Sequence, residues 1–155
     1  MHFSENCVFC QIVNRNEKLI FENESVCVFL DKFRRSRAGG ICLVVPKRHV
    51  ENIFELPEEC AEDLMKGIRT VSIAVKKGYG CKGVRIWSAN GKSAGQSVFH
   101  LHFHIVPCNS IWDRLRSILP GAFDLLHMKR RLSDSELERW SKLMINELTL
   151  QSVKT

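Results

Sequence analysis

Leu19 to Asp31 reads as two strands around a turn at Glu22-Asn23-Glu24; the second, Val26-Cys27-Val28-Phe29-Leu30, is apolar and β-rich. Ile41-Cys42-Leu43-Val44-Val45 predicts a further strand, stopped by Pro46, and Arg34 to Gly40 before it reads as a loop ending in two glycines. The period then changes. Leu64, Ile68, Val71 and Val75 share one face at helical spacing, with Pro57 suited to a first helical position and Gly78 to the residue just past the end. Val84-Arg85-Ile86-Trp87 returns to a strand, Asn90 to Ser97 is a polar glycine-containing loop, and Val98 to Val106 alternates again as a strand. Ile111 to Arg131 mixes apolar residues with Arg114, Arg116, Lys129, Arg130 and Arg131. A last helix is expected near Ser133, which has capping-box spacing to Glu136, with Leu137, Trp140, Met144 and Leu148 along its apolar face.

The strand at 98–106 carries more than a packing pattern. His100, His102 and His104 alternate with Leu101 and Phe103, so a period of two puts the three imidazoles on one face. Same-face neighbours would then lie roughly 6.5–7 Å apart. Half of the chain's six histidines stand in these five positions. A side chain that titrates near neutral pH is costly to bury unpaired, so the triplet points to a metal site or a catalytic site.

Composition narrows the setting. A chain of 155 residues, 45% hydrophobic and 26% charged, suits one soluble domain with a real core. No uncharged apolar run reaches membrane-spanning length, and Met1 to Asn6 lacks the basic start and apolar core of a secretory signal, so the cytoplasm is the expected location. Seven cysteines is an odd number, which favours reduced thiols or metal ligands over a disulfide framework. The formal charge of +6 points to anionic partners. Lys32, Arg34, Arg35, Arg37, Lys47 and Arg48 stand in one stretch without an acidic residue, a basic loop or a phosphate-attracting rim.

Cys7-Val8-Phe9-Cys10 is the second chemical feature. Two thiolates at this spacing can grip one tetrahedral ion from a tight turn, although redox sites use the same spacing. Zinc would need two further ligands, for which His49 and one histidine of the triplet are candidates; with His100 the closed set is Cys7, Cys10, His49 and His100, a structural zinc site. Cys27, Cys42, Cys60, Cys81 and Cys108 are scattered and read as buried or surface thiols.

The triplet leaves two chemistries open. Three histidines can hold a catalytic metal with an open position. A hydrolytic zinc site usually has a carboxylate near it, however, and no Asp or Glu occurs between Arg85 and Ile111. Alternatively His102 attacks phosphorus with one ring nitrogen while a carbonyl holds the other as a donor. The loop containing Asn90, Gly91, Ser93, Gly95, Gln96 and Ser97 would then supply donors without bulk. It is not a Walker loop, since its glycines precede a strand.

His100-Leu101-His102-Phe103-His104-Ile105-Val106 resembles the signature of the histidine-triad family. Gln96-Ser97, Asn90-Gly91, Leu43-Val44-Val45-Pro46-Lys47-Arg48-His49 and Phe29-Leu30-Asp31 fall in that family's order, and Cys7-Val8-Phe9-Cys10 is similar to its zinc-binding branch. The resemblance covers roughly residues 7–108. It implies an α+β fold with an antiparallel sheet of about five strands and two main helices, usually paired as a homodimer. Residues 1–109 would form the nucleotide-binding catalytic domain. Residues 110–155, which are unlike the family's short tails, would form an extension whose terminal helix packs on it. The implied activity is a nucleotide hydrolase or transferase, cleaving a nucleoside phosphoramidate, dinucleoside polyphosphate or related bond at the α-phosphate. By position His102 resembles the nucleophile, His104 its neighbour on the α-phosphate, and Gln96 a further catalytic residue. Asn90, Gly95, Gln96 and Ser97 resemble the loop that binds phosphate and leaving group, and Asp31 the ribose ligand. Cys7, Cys10, His49 and His100 would hold a structural zinc, and the bound partner would be a purine nucleotide or nucleotide conjugate. A different class of function is a zinc-stabilised nucleotide-binding or regulatory module with little turnover. A nucleic-acid-processing role rests on the basic segments Arg34–Arg37 and Lys129–Arg131 and lacks the interleaved aromatics of an RNA-binding sheet.

Overall fold

The computed structural model describes residues 4–16, 18–34, 38–118 and 130–153. In chain order its elements are α1 (Val8–Arg15), β1 (Leu19–Glu22), β2 (Val26–Leu30), β3 (Phe33–Arg34), β4 (Cys42–Pro46), α2 (Glu58–Gly78), β5 (Gly83–Trp87), β6 (Phe103–Cys108), α3 (Ile111–Ile118), β7 (Arg130–Arg131) and α4 (Asp134–Ser152). Five strands form one antiparallel sheet in the order β1-β2-β4-β6-β5, and β3 pairs with β7 in a separate two-stranded ribbon. The fold is α+β, as the resemblance implies.

The central strands are apolar on both faces because both faces are covered. Val26 and Val28 of β2, Cys42 and Val44 of β4 and Ile105 of β6 pack with Leu64, Ile68, Val71 and Val75 of α2 and Met144 and Leu148 of α4. The alternate residues Cys27, Phe29, Leu43, Val45 and Val106 pack with Cys7, Phe9 and Cys10 on the other face. Gly67 lets α2 approach β2: a Cβ there would lie 2.8 Å from Val26 Cγ2. Gly39 likewise leaves room for the Tyr79 ring, which meets Trp140 of α4 edge to face. Glu58 and Glu59 in the first turn of α2 and Lys76 and Lys77 in its last complement the helix dipole. Ser133 and Glu136 form the expected capping box of α4, which packs on α2 and β1.

Several expected boundaries move. The histidine strand begins at Phe103, not Val98: His100 N–H bonds to Val98 O in a tight turn and Leu101 N–H bonds to Val50 O, so residues 98–102 run outside the ladder. The expected tight turn at Cys7–Cys10 is the first turn of α1, with Cys7 as N-cap. Pro46 is the last residue of β4, opposite Val26, rather than the residue that stops it. Pro57 is the N-cap of α2 and Gly78 its last residue, each one position from expectation. The expected loop from Arg34 is entered through β3; Arg35 and Arg37, like Lys129, lie outside the described residues. No helix among the described residues is long and apolar enough to cross a membrane.

Candidate active site and metal centre

The sheet face under α1 carries the site. Because residues 98–102 leave the ladder, the three histidines are not equivalent points on a strand. His100 is fully buried and turns to α1 and the residues after β4. Its Nδ1 lies 3.4 Å from Cys7 Sγ, 3.6 Å from Cys10 Sγ and 3.3 Å from His49 Nδ1, and Cys10 Sγ lies 3.3 Å from His49 Nδ1. All four ligand atoms fall within 4.8 Å of one another. A tetrahedral zinc with ordinary bond lengths demands edges of about 3.3 Å between nitrogens and about 3.5 Å between sulfur and nitrogen. The cluster's closest edges meet that demand. The two imidazoles stand at 88°, which lets both Nδ1 atoms face one point. His100 Nε2–H donates to Pro46 O at 2.9 Å, which fixes the tautomer that leaves Nδ1 to a ligand. Burial pushes the His100 imidazole down to about 4. The donor set therefore fits one metal ion, which these four residues could hold.

His102 and His104 are not part of that cluster. His102 is buried, and its Nδ1–H donates to His100 O at 2.6 Å. Burial lowers its basicity; the carbonyl bond and the Asp31 carboxylate act in the opposite direction. The ring of Phe9, between the two α1 cysteines, meets His102 edge-on at 5.1 Å and 76°. His104, on β6 opposite Leu43 and Trp87, meets His102 at 5.1 Å and 64°. Asp31 follows β2, bonded through its N–H to Ile41 O, with Oδ1 accepting from Phe33 N–H at 3.1 Å. His102, His104 and Asp31 thus share one side of the sheet.

The polar loop is braced from within. Gln96 is buried; its Oε1 accepts from Gly91 N–H at 2.7 Å and its Nε2 donates to Val98 O at 3.0 Å and to Glu51 O. Asn90 Oδ1 accepts from Ile53 N–H at 2.8 Å, and its Nδ2 donates to Ser88 Oγ. Both amides hold the loop shape, so geometry gives them a bracing function. Gly95 ends a 3-10 turn at φ +83°, a conformation that suits glycine, and Ser97 is exposed.

Sequence reasoning missed two aromatic neighbours, Phe9 under His102 and Trp87 stacked on His104. A phenylalanine inside the Cys-x-x-Cys turn was the available signal for the first. It also missed that β3 and β7 pair Arg34 with Arg130 and Phe33 with Arg131, which joins two basic segments remote in sequence just beyond Asp31.

The HIT domain family model matches residues 13–111. An uncharacterized HIT-like protein of Saccharolobus solfataricus is 47% identical over 103 residues, 65% of this chain and 73% of that protein. A hypothetical histidine triad nucleotide-binding protein from Sulfolobus tokodaii superposes with a TM-score of 0.75 at 28% identity, covering 94% of each chain. A zinc-bound histidine triad family protein from Mycobacterium smegmatis superposes with a TM-score of 0.75 at 25% identity, covering 97% of this chain and 98% of its own. The likeness of these two solved structures therefore extends into the C-terminal segment.

Proposed function

The chain belongs to the HIT domain family, and from that membership we propose that it is an enzyme that binds a purine nucleotide or nucleotide conjugate and cleaves it at the α-phosphate through a nucleotidyl-histidine intermediate. One observation carries this reading: His102 Nδ1 lies 2.6 Å from a carbonyl oxygen, which can only accept. The proton is therefore on Nδ1, and Nε2 keeps the lone pair a nucleophile needs. Nε2 attacks phosphorus, a P–N bond forms, and the bond to the leaving group breaks, the leaving group taking up a solvent proton that the second step returns. Water then displaces the histidine and releases the nucleoside monophosphate. His104 stands beside His102 to donate to the phosphoryl oxygens. Asp31 holds the ribose hydroxyls, and Gly95 and Ser97 border the phosphate and leaving group, with Asn90 and Gln96 keeping their loop in shape.

Cys7, Cys10, His49 and His100 are the ligands of a structural zinc, which the kinship with a zinc-bound family member supports. His100 would then do two things at once: its Nδ1 ties α1 to the sheet, and its carbonyl orients the nucleophile. Residues 1–109 form the catalytic domain and 110–155 an extension whose helix α4 packs against α2. We read the enzyme as a cytoplasmic homodimer, with seven thiols suited to a reducing compartment and the edge strand β5, where Ile86 is exposed, open to pairing.

The test is hydrolysis of adenosine and guanosine phosphoramidates and dinucleoside polyphosphates by the protein and by His102→Ala. Activity in the former and loss in the latter are expected. Full activity in His102→Ala would refute the nucleophile assignment. Nucleotide binding without turnover by either protein would establish a binding module instead.

A further inference from the structure

Trp87 ends β5 and lies directly opposite His104 in the β5–β6 register. The two rings are parallel to within 3°, with centroids 4.0 Å apart. The other rings of the site meet edge to face, at 64° for His102 with His104 and 76° for Phe9 with His102. One face of His104 is thus covered by an indole. The Trp87 Nε1–H is buried and donates to no group among the described residues, so the indole is held through its ring faces rather than by a hydrogen bond. An aromatic residue suits a strand, but phenylalanine would do so without the buried, unbonded donor, which costs stability. The Trp87 ring packs on the edge of the core beneath α1, and the ring it stacks on is that of His104.

We propose that Trp87 is a positioning residue for His104, resting on the reading that His104 lies beside the α-phosphate while His102 carries the nucleotide. Its first effect is orientational. The imidazole torsion about Cβ–Cγ is broad, and a parallel indole removes most of that freedom, keeping the ring at its angle to His102. Its second effect follows from the first: a donor held at a fixed angle matters most where negative charge develops on the phosphoryl oxygens in the transition state, so its loss falls on kcat more than on KM.

Trp87→Leu removes the ring, whereas Trp87→Phe keeps a face and removes the unbonded N–H. With an adenosine phosphoramidate as substrate, Trp87→Leu is expected to lower kcat roughly 5- to 30-fold with a much smaller change in KM. Trp87→Phe is expected to restore most of it. An unchanged kcat in Trp87→Leu beside an inactive His102→Ala would overturn the positioning role and leave the nucleophile standing; so would an effect on KM alone, or a Trp87→Phe as impaired as Trp87→Leu. An active His102→Ala would remove the reading on which the proposal rests. Fluorescence supplies a readout free of turnover and of any folding defect in the leucine variant. The spectrum of the protein minus that of Trp87→Phe isolates Trp87 from Trp112 and Trp140. Saturating AMP, with binding established by calorimetry, should alter that difference; a difference indifferent to bound AMP would overturn the proposal.

Discussion

Removing the metal should loosen one helix rather than unfold the sheet. Helix α1 has eight residues, too few to hold in water on its own. Burying Phe9 and Cys10 stabilises its docking by only about 3–5 kcal/mol, against roughly 1 kcal/mol or more of backbone ordering for every residue fixed. Docking is thus marginal without a bond from Cys7 and Cys10 to His49 and His100. Zinc held at a thousandfold excess over its dissociation constant would stabilise the folded state by about 4 kcal/mol. For a chain of this length that corresponds to a Tm shift of roughly 8–16 °C. The assay is calorimetry with and without a strong chelator, joined to hydrogen exchange across α1 and elemental analysis. One zinc per chain is expected, lost in Cys10→Ser and kept in His102→Ala, with exchange rising in α1 before it rises in α2. An unchanged Tm and an equally protected α1 in the chelated protein would refute the reasoning. Metal kept in Cys10→Ser but lost in His102→Ala would move the ion to the catalytic histidines.

Three further outcomes follow from named contacts. His102→Ala should lower phosphoramidate hydrolysis by at least about a thousandfold without changing the thermal midpoint by more than a few degrees, measured by single-turnover kinetics and calorimetry. Gly67→Ala gains about 1 kcal/mol of helix propensity but sets a Cβ 2.8 Å from Val26 Cγ2, and overpacking of about 1–3 kcal/mol should prevail. Urea unfolding should show a net loss near 1 kcal/mol, less than additive with Val26→Ala. Burial pushes the Cys42 thiol from 9.0 up to about 12. The unfolded chain therefore releases that proton first, so stability is fully present below pH 9 and falls as pH rises from 9 toward 12, by a few kcal/mol at most. Urea midpoints across that range should flatten in Cys42→Ala, and an equal slope in both proteins would show that other groups drive it.

Local periodicity made α2, α4 and the paired strands β1 and β2 legible, because each buries a face made by residues a few positions apart. Ser133 and Glu136 disclosed the start of α4 for the same reason: both partners of the capping box lie within one turn. The histidine segment shows where this kind of reading stops. An extended stretch alternates its side chains whether or not it sits in a ladder. Alternation alone therefore could not show that residues 98–102 leave the sheet when Leu101 N–H bonds to Val50 O.

The sequence by itself determined the inventory: which residues can ligate a metal, which can attack phosphorus, and which segments form helices and strands. The family's residue order implied how the three histidines divide their labour; tertiary structure decided the contacts that make the division physical. It brought Cys7 and Cys10 to His49 and His100, set Phe9 under His102, stacked Trp87 on His104, and joined the basic segments at Arg34 and Arg130. Each of those contacts joins residues far apart along the chain. Their proximity is set by how sheet and helices share two cores, which no local spacing encodes.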